Sequence, residues 1–296
     1  MRLERLGYRL ATGLAGTLIG SQFCRHLADL ERSQWLSPEE LRLRCEERLQ
    51  PLLQHAAENV PFYRDTYRQA GLAPGELRTL DDLARLPIVS KLDRCSYPPV
   101  HFLADNLPAH RLIPERTSGS TGPRFDFYLD REAVPIHIAN HLFSDAWYGL
   151  TPFTRSVRIR APILETVTLK TAEPFLVKLR SKATSRLRAA YEWWTQEKIW
   201  VWEVGSAPAE SIYRRMELHH PEFVTGFTSS VAEIACELLQ RNLRLSRRLR
   251  GVITEGEPLT PSRRKLIEDY FEAPIGNRLG IRELGAYVAQ NCLEAP

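Results

Sequence analysis

"RGVITEGEPLTPSRRKLIEDYFEAPIGNRLGIRELG", residues 250 to 285, is the stretch from which the fold is read. It opens with "RGVIT", a short apolar run rich in β-branched residues, which predicts a strand. "TPSRRKLIEDYFE" follows with Thr260 placed to cap a helix and Pro261 suited to its first turn. "APIGNRLG" then returns to strand. Upstream, "EFVTGF" predicts another buried strand and "SSVAEIACELLQRN" another helix. Strand–helix–strand–helix–strand with short links specifies the α/β class, with neighbouring parallel strands near 223–227, 250–254 and 274–279. Ligands of such sheets sit beyond the carboxyl ends of the strands. Two loops occupy those ends, "TEGEPL" (254 to 259) and "GIRELG" (280 to 285), and both are expected to open on one side.

Toward the N-terminus the pattern changes. "RSVRIRAPIL" and "KIWVWEVG" alternate like strands, and "DREAVPIHIANHLFSDAWYGL" is helical despite Pro135. The first 90 residues are helical. In "SPEELRLRCEERLQPLLQHAA", Ser37 caps, Pro38 suits the first turn and Glu40 completes a capping box. Leu41, Cys45, Leu49, Leu52, Leu53 and Ala56 then recur at helical spacing and predict the packed face. "PFYRDTYRQAG" ends at Gly71 as a helix should, and Thr79 and Asp82 open a third, short helix. The division expected is a helical segment over 1–90 and an α/β core over 91–296, with no internal repeat.

Composition narrows the class. The 296 residues are 43% hydrophobic and 26% charged, the balance of a folded globular chain and not a disordered one. Forty basic against 36 acidic residues leave a net charge of +4, too even to indicate nucleic acid. The five cysteines, Cys24, Cys45, Cys95, Cys236 and Cys292, are scattered with no CxxC pair, so no disulfide framework or zinc ribbon is specified. A reducing cytoplasm is the expected compartment. Arg2, Arg5 and Arg9 before "LATGLAGTLIG" imitate a signal peptide, but the apolar run is short and glycine-rich; a helix docked on the body is expected there.

One more loop carries chemistry. "RTSGSTGPRF", residues 116 to 125, packs hydroxyls and glycines where backbone N–H groups can converge on an anion. It matches neither the GxxxxGK[ST] nor the GxGxxG pattern. By itself it admits two readings, a surface turn or a phosphate cradle.

Six stretches in order extend the argument: "LLQHAAENVPFYRDTYRQAGL", "LARLPIVSK", "RTSGSTG", "VTGFTSSVAEIACEL", "VITEGEPLTPSRRKLIEDYF" and "RLGIRELG". Together, from about residue 40 to 292, they resemble the adenylate-forming ligases, in the branch of the phenylacetate–CoA ligases and the capsule-polysaccharide-associated ligase-like proteins. The resemblance implies the N-terminal domain of that fold and an AMP-forming activity. A carboxylate attacks the α-phosphate of Mg-ATP, pyrophosphate leaves, and a thiol, usually that of coenzyme A, takes the acyl group. It also implies residue roles. Thr117, Ser118, Gly119, Ser120, Thr121 and Gly122 would cradle the β- and γ-phosphates, with Arg124 near the place of the family's loop lysine. Gly256, Glu257 and Pro258 would line the adenine site, Gly280 would lie beside the nucleotide, and Glu283 would hold Mg2+. Without the resemblance, Glu283 also reads as a surface carboxylate beside Arg282.

The chain departs from the family in three places. Pro123 follows Gly122 directly. Leu279 stands where the family places an aromatic residue against adenine. The sequence ends at Pro296, before the family's ribose-contacting aspartate and C-terminal lid domain. The implied partners are a small carboxylate, ATP, Mg2+ and coenzyme A, without nucleic acid; a separate lid chain or a homo-oligomer would fit the missing domain. The alternative is a truncated or degenerate homologue that binds nucleotide or a partner without turnover. Peripheral membrane contact would rest on the apolar N-terminus and the basic run Lys170, Lys178, Arg180, Lys182, Arg186 and Arg188. His137 and His141 have metal-ligand spacing but no third ligand in the pattern, and are read as structural. Trp193, Trp194, Trp200 and Trp202 are expected in core and sheet packing.

Overall fold

A computed structural model describes residues 20–116, 126–160 and 194–291, with Tyr8, Thr12, Gly13, Gly16 and Ile19. The chain divides into two compact units, Met1–Leu27 with Pro135–Pro296, and Ala28–Val134.

The first unit is built on a six-stranded sheet. Its strands are β3 (Ser156–Arg160), β4 (Gln196–Trp200), β5 (Phe223–Phe227), β6 (Gly251–Glu255), β7 (Ile275–Ile281) and β8 (Ala286–Gln290), in the order β4-β3-β5-β6-β7-β8. The first five strands of that order are parallel, and β8 returns antiparallel to β7. Strands 223–227, 250–254 and 274–279 are therefore parallel neighbours as expected. β7 runs two residues further, to Ile281. β6 is buried at four consecutive positions, Gly251 to Thr254, because both faces of the sheet are covered.

One face carries α6 (Ala209–His219), α7 (Thr228–Gln240) and α8 (Pro261–Phe271). Val157, Ile159, Ile199, Val224, Val252 and Ile275 of the strands pack there with Ile212, Met216, Val231, Leu238, Ile267 and Phe271 of the helices. Thr260 caps α8 by accepting from the Arg263 N–H, and Pro261 fills the first turn, as predicted. On the other face Phe223 and Ile253 pack against Tyr148 and Leu150, just past α5 (Val134–Trp147). Pro135 falls in the first turn of α5, where its missing N–H costs nothing.

The second unit holds α2 (Pro38–Asn59), α3 (Pro61–Gln69), α4 (Lys91–Ser96) and the hairpin of β1 (Leu112–Arg116) with β2 (Asp126–Asp130). The Ser37–Glu40 capping box forms with both hydrogen bonds in place. Thr79 and Asp82 open the expected short helix, a 3-10 helix over Asp81–Arg85. The packed face of α2 is narrower than its spacing predicts. Leu49 and Leu53 are buried with Tyr67 and Leu77, whereas Leu41, Cys45 and Leu52 are exposed. The helix α1 (Ser21–Ser33) runs across the boundary of the units. Phe23 and Leu27 pack with Ile19 and Ala139, while Asp29 pairs with Arg44 and Arg48.

Most of the N-terminal "LATGLAGTLIG", the basic run 170 to 190, Trp193 and Cys292 lie outside the described residues. Two tryptophan expectations are corrected. Trp194 and Trp202 are half-exposed, and Trp202 stacks on Trp200 at 5.1 Å beyond the end of β4, not in the core. No helix among the described residues is long and apolar enough to cross a membrane.

Candidate functional site

The loops after β6 and β7 leave the same end of the sheet, because Glu255 pairs with both Phe227 and Arg278 across parallel ladders. Gly256, Pro258, Gly280 and Glu283 are all exposed at that end. This is the arrangement expected of "TEGEPL" and "GIRELG". The hydroxyl-rich loop, Thr117 to Gly122, and Arg124 lie outside the described residues. The loop's two flanks, β1 and β2, are described, and they pair antiparallel from Leu112–Asp130 to Arg116–Asp126.

The 256–258 loop is held on both sides. Gly256 has φ +77°, and a Cβ there would come within 2.8 Å of the Phe227 ring, so this turn requires glycine. The Glu257 carboxylate accepts the Ser229 N–H at 2.8 Å, and its carbonyl accepts the Thr228 hydroxyl at 3.0 Å. Arg263 of α8 approaches the same carboxylate at 3.6 Å. A negative side chain thus occupies the N-terminus of α7, where the helix dipole and free N–H groups would otherwise attract an anion. Gly256 and Pro258 are the exposed residues here, while the Glu257 side chain is turned to bracing.

Beyond Leu279 the β7–β8 ladder shifts register between Leu279 and Gly280, a bulge of the kind that re-aims a strand beside a site. Leu279 is 59% exposed, so an aliphatic surface stands at this position. Glu283 lies on a 3-10 turn, Arg282–Leu284, and its carboxylate has no hydrogen bond or ion pair with another described residue.

Under this surface lies a buried polar cluster that the sequence reading did not single out. The Arg278 side chain is 4% exposed and donates to Asp145 Oδ1 of α5 at 2.6 Å. Its guanidinium lies between two rings, 4.9 Å from the centre of Tyr148 and 4.6 Å from that of Tyr287. Burial works against the charge of Arg278, but Asp145, Tyr287 and Glu255 outweigh it and hold the guanidinium protonated. The Tyr287 hydroxyl donates to Glu255 Oε2 at 2.6 Å, and burial, with the Glu255 charge, pushes that phenol up. A charged residue inside the otherwise uncharged run "PIGNRLG" was the available signal, since a buried cation demands a partner.

α5 supplies the rest of this cluster from one helical face. His137 packs so closely on Gly285 that a Cβ there would meet its Nδ1 at 2.2 Å; Gly285 has φ +57°. His141 stands edge-on to Tyr287, with ring centres 4.9 Å apart. Burial lowers the pKa of both histidines, and the neighbouring His141 adds to the effect on His137. No cluster of three or more metal-ligating side chains occurs among the described residues.

The fold matches that of adenylate-forming ligase domains. The crystal structure of 2-hydroxyisobutyryl-CoA ligase with 2-HIB-AMP and CoA matches it with a TM-score of 0.62 at 19% identity, covering 88% of this chain and 55% of that one. Phenylacetate–coenzyme A ligases of Aromatoleum evansii and Pseudomonas putida are 39% and 37% identical to it over 95 and 94 residues, 32% and 31% of this chain. Protein CapK of Staphylococcus aureus is 21% identical over 251 residues, 83% of this chain. No protein-family model matches. The chain spans 21% of the length of each phenylacetate–CoA ligase and 51% of CapK. The chain is similar to members of the adenylate-forming ligase superfamily over part of their length.

Proposed function

We propose that the chain serves ATP-dependent activation of a carboxylic acid to an acyl-adenylate, with transfer to the thiol of coenzyme A as the following step. The observation that supports this most is the shared exposure of Gly256, Pro258, Gly280 and Glu283 at the carboxyl end of one parallel sheet. Nucleotides bind at such ends. The relatives point the same way, being phenylacetate–CoA ligases and, by fold, a ligase crystallised with an acyl-AMP and CoA.

In this reading Gly256 and Pro258 give the adenine ring a backbone edge, and Gly280 leaves room for the nucleotide beside β7. The hydroxyl-rich loop 117–122 and Arg124 would neutralise phosphate charge. Glu283 would meet Mg2+. An exposed carboxylate without a partner among the described residues fits a small hard cation held mostly by phosphate oxygens and water, which needs one or two protein oxygens and no cage. Mg2+ would supply charge neutralisation at the phosphates. The chemistry asks the protein for placement and charge stabilisation more than for a nucleophile.

The test is carboxylate-dependent exchange of labelled pyrophosphate into ATP, over a panel of aryl and alkyl acids. Exchange in the wild type that falls roughly a hundredfold in Glu283→Ala is expected. Acid-independent background in both proteins would refute activation. A second reading, a homologue that binds nucleotide or a partner without turnover, draws on Leu279, whose side chain offers adenine no π-face. Saturable ATP binding without exchange would select it.

A further inference from the structure

Gly256 sits between two carboxylates that are both fastened. Glu257 is held by α7, and Glu255, the last residue of β6, is held by Tyr287. Gly256 turns at φ +77°, so the chain leaves β6 in a bend flanked on both sides by those two anchors. The Glu257 anchor is built from elements that follow β5 and β6 directly. The Glu255 anchor comes from β8, a strand that pairs only with β7 among the described strands.

Tyr287 is itself held on several sides. Its ring lies on the Arg278 guanidinium, His141 meets it edge-on, and its backbone is the ladder partner of Gly280. One residue therefore contacts both exposed loops at this end of the sheet, Gly280 through the backbone and Glu255 through the phenol. An O–H to carboxylate bond of 2.6 Å is of the strong, charge-assisted kind.

We propose that Tyr287 is a positioning residue: through Glu255 it fixes the direction in which the chain leaves β6, and so seats the 256–258 loop in register with Gly280. The consequence for nucleotide binding rests on the function proposed above; the seating of the loop does not. The phenol stays protonated through the neutral and mildly alkaline range, because burial and the Glu255 charge both resist its ionisation, so the anchor holds there.

The experiment uses the full chain and the variants Tyr287→Phe, Glu255→Ala and Glu255→Gln. Phenylalanine keeps the ring on Arg278 and removes only the donor; glutamine keeps an oxygen that can accept from Tyr287. The reporter is the Ser229 amide, whose N–H is bonded to the Glu257 carboxylate and loses protection when the loop leaves its seat. Its hydrogen exchange is expected to be about tenfold faster in Tyr287→Phe and in Glu255→Ala, near wild type in Glu255→Gln, and no faster in the double variant Tyr287→Phe/Glu255→Ala than in either single one. Val252 and Ile253, inside β6, should exchange as in the wild type. Unchanged Ser229 exchange in Tyr287→Phe, equal acceleration throughout β6, or independent effects of the two substitutions would overturn the proposal. ATP binding is read in parallel. Absence of binding by the wild type would defeat the functional reading alone, because the exchange measurement needs no nucleotide. Binding weakened roughly fivefold or more by Tyr287→Phe would join the two.

Discussion

Arg278 carries a charge into the interior of a parallel sheet, and Asp145 answers it from a helix that lies 133 positions earlier in the chain. Removing the answer leaves the buried cation without its ion-pair partner. Asp145→Ala is expected to cost about 3 kcal/mol or more of stability, read as the urea unfolding free energy. Asp145→Asn, which keeps an acceptor oxygen for the guanidinium, is expected to cost less than half as much. The two rings flanking Arg278 remain in both variants and contribute equally to both measurements. This residue shows where reading the sequence stopped. Gly256 could be found from its turn, because positive φ selects glycine locally. That Arg278 needed Asp145, and that Tyr287 would reach Glu255, depends on side chains brought together by the tertiary fold, which no local spacing encodes.

α5 concentrates His137, His141 and Asp145 on one face, at positions that recur every fourth residue. Burial holds both histidines below the ordinary value of 6.5, so the folded protein resists protonating them. The unfolded chain takes up protons around pH 6.5, and the folded chain only at lower pH. Stability is then at its full value above about pH 6.5 and declines as pH falls through the window between the two values. Urea midpoints at pH 8, 6 and 5 should descend in that order. His141→Gln should flatten the decline by its own share, which separates the histidine from the carboxylates. At the start of α2, Ser37→Ala removes the cap and should lower the unfolding free energy of its unit by about 1 kcal/mol, measured by circular dichroism.

Elements differed in how much of them could be read. The capping box and the Thr260–Pro261 start were legible because caps are short-range chemistry. The face of α2 was not, since Leu52 and Leu53 are adjacent and spacing alone cannot say that only Leu53 turns inward. β8 escaped notice because an edge strand buried on few sides carries no sustained alternation, and "AYVAQ" has little to mark it.

For the whole molecule, the parallel core was the most legible feature, because strands covered on both faces must be apolar throughout and the helices between them carry caps. What the sequence could not order was the other half of the sheet. β3 and β4 were recognisable as strands, but their place at the β4-β3-β5 edge is a property of topology.

That strand order has a kinetic consequence. β6, β7 and β8 are each laid beside the strand that precedes them in sequence, and β4 is laid beside β3 in the same way. The exception is the seam of β3 with β5, held by three residue pairs, in which Ser156 must find Phe223 across the whole of β4 and α6. Joining strands so far apart is slow, because loop closure must precede the contacts that reward it. On dilution from denaturant, β5 to β8 should gain structure first and the seam should close last, on the millisecond-to-second scale. Val157→Ala, within the seam, should then mainly speed unfolding, whereas Val252→Ala should mainly slow refolding. Stopped-flow chevrons of the two variants will show which limb each one moves.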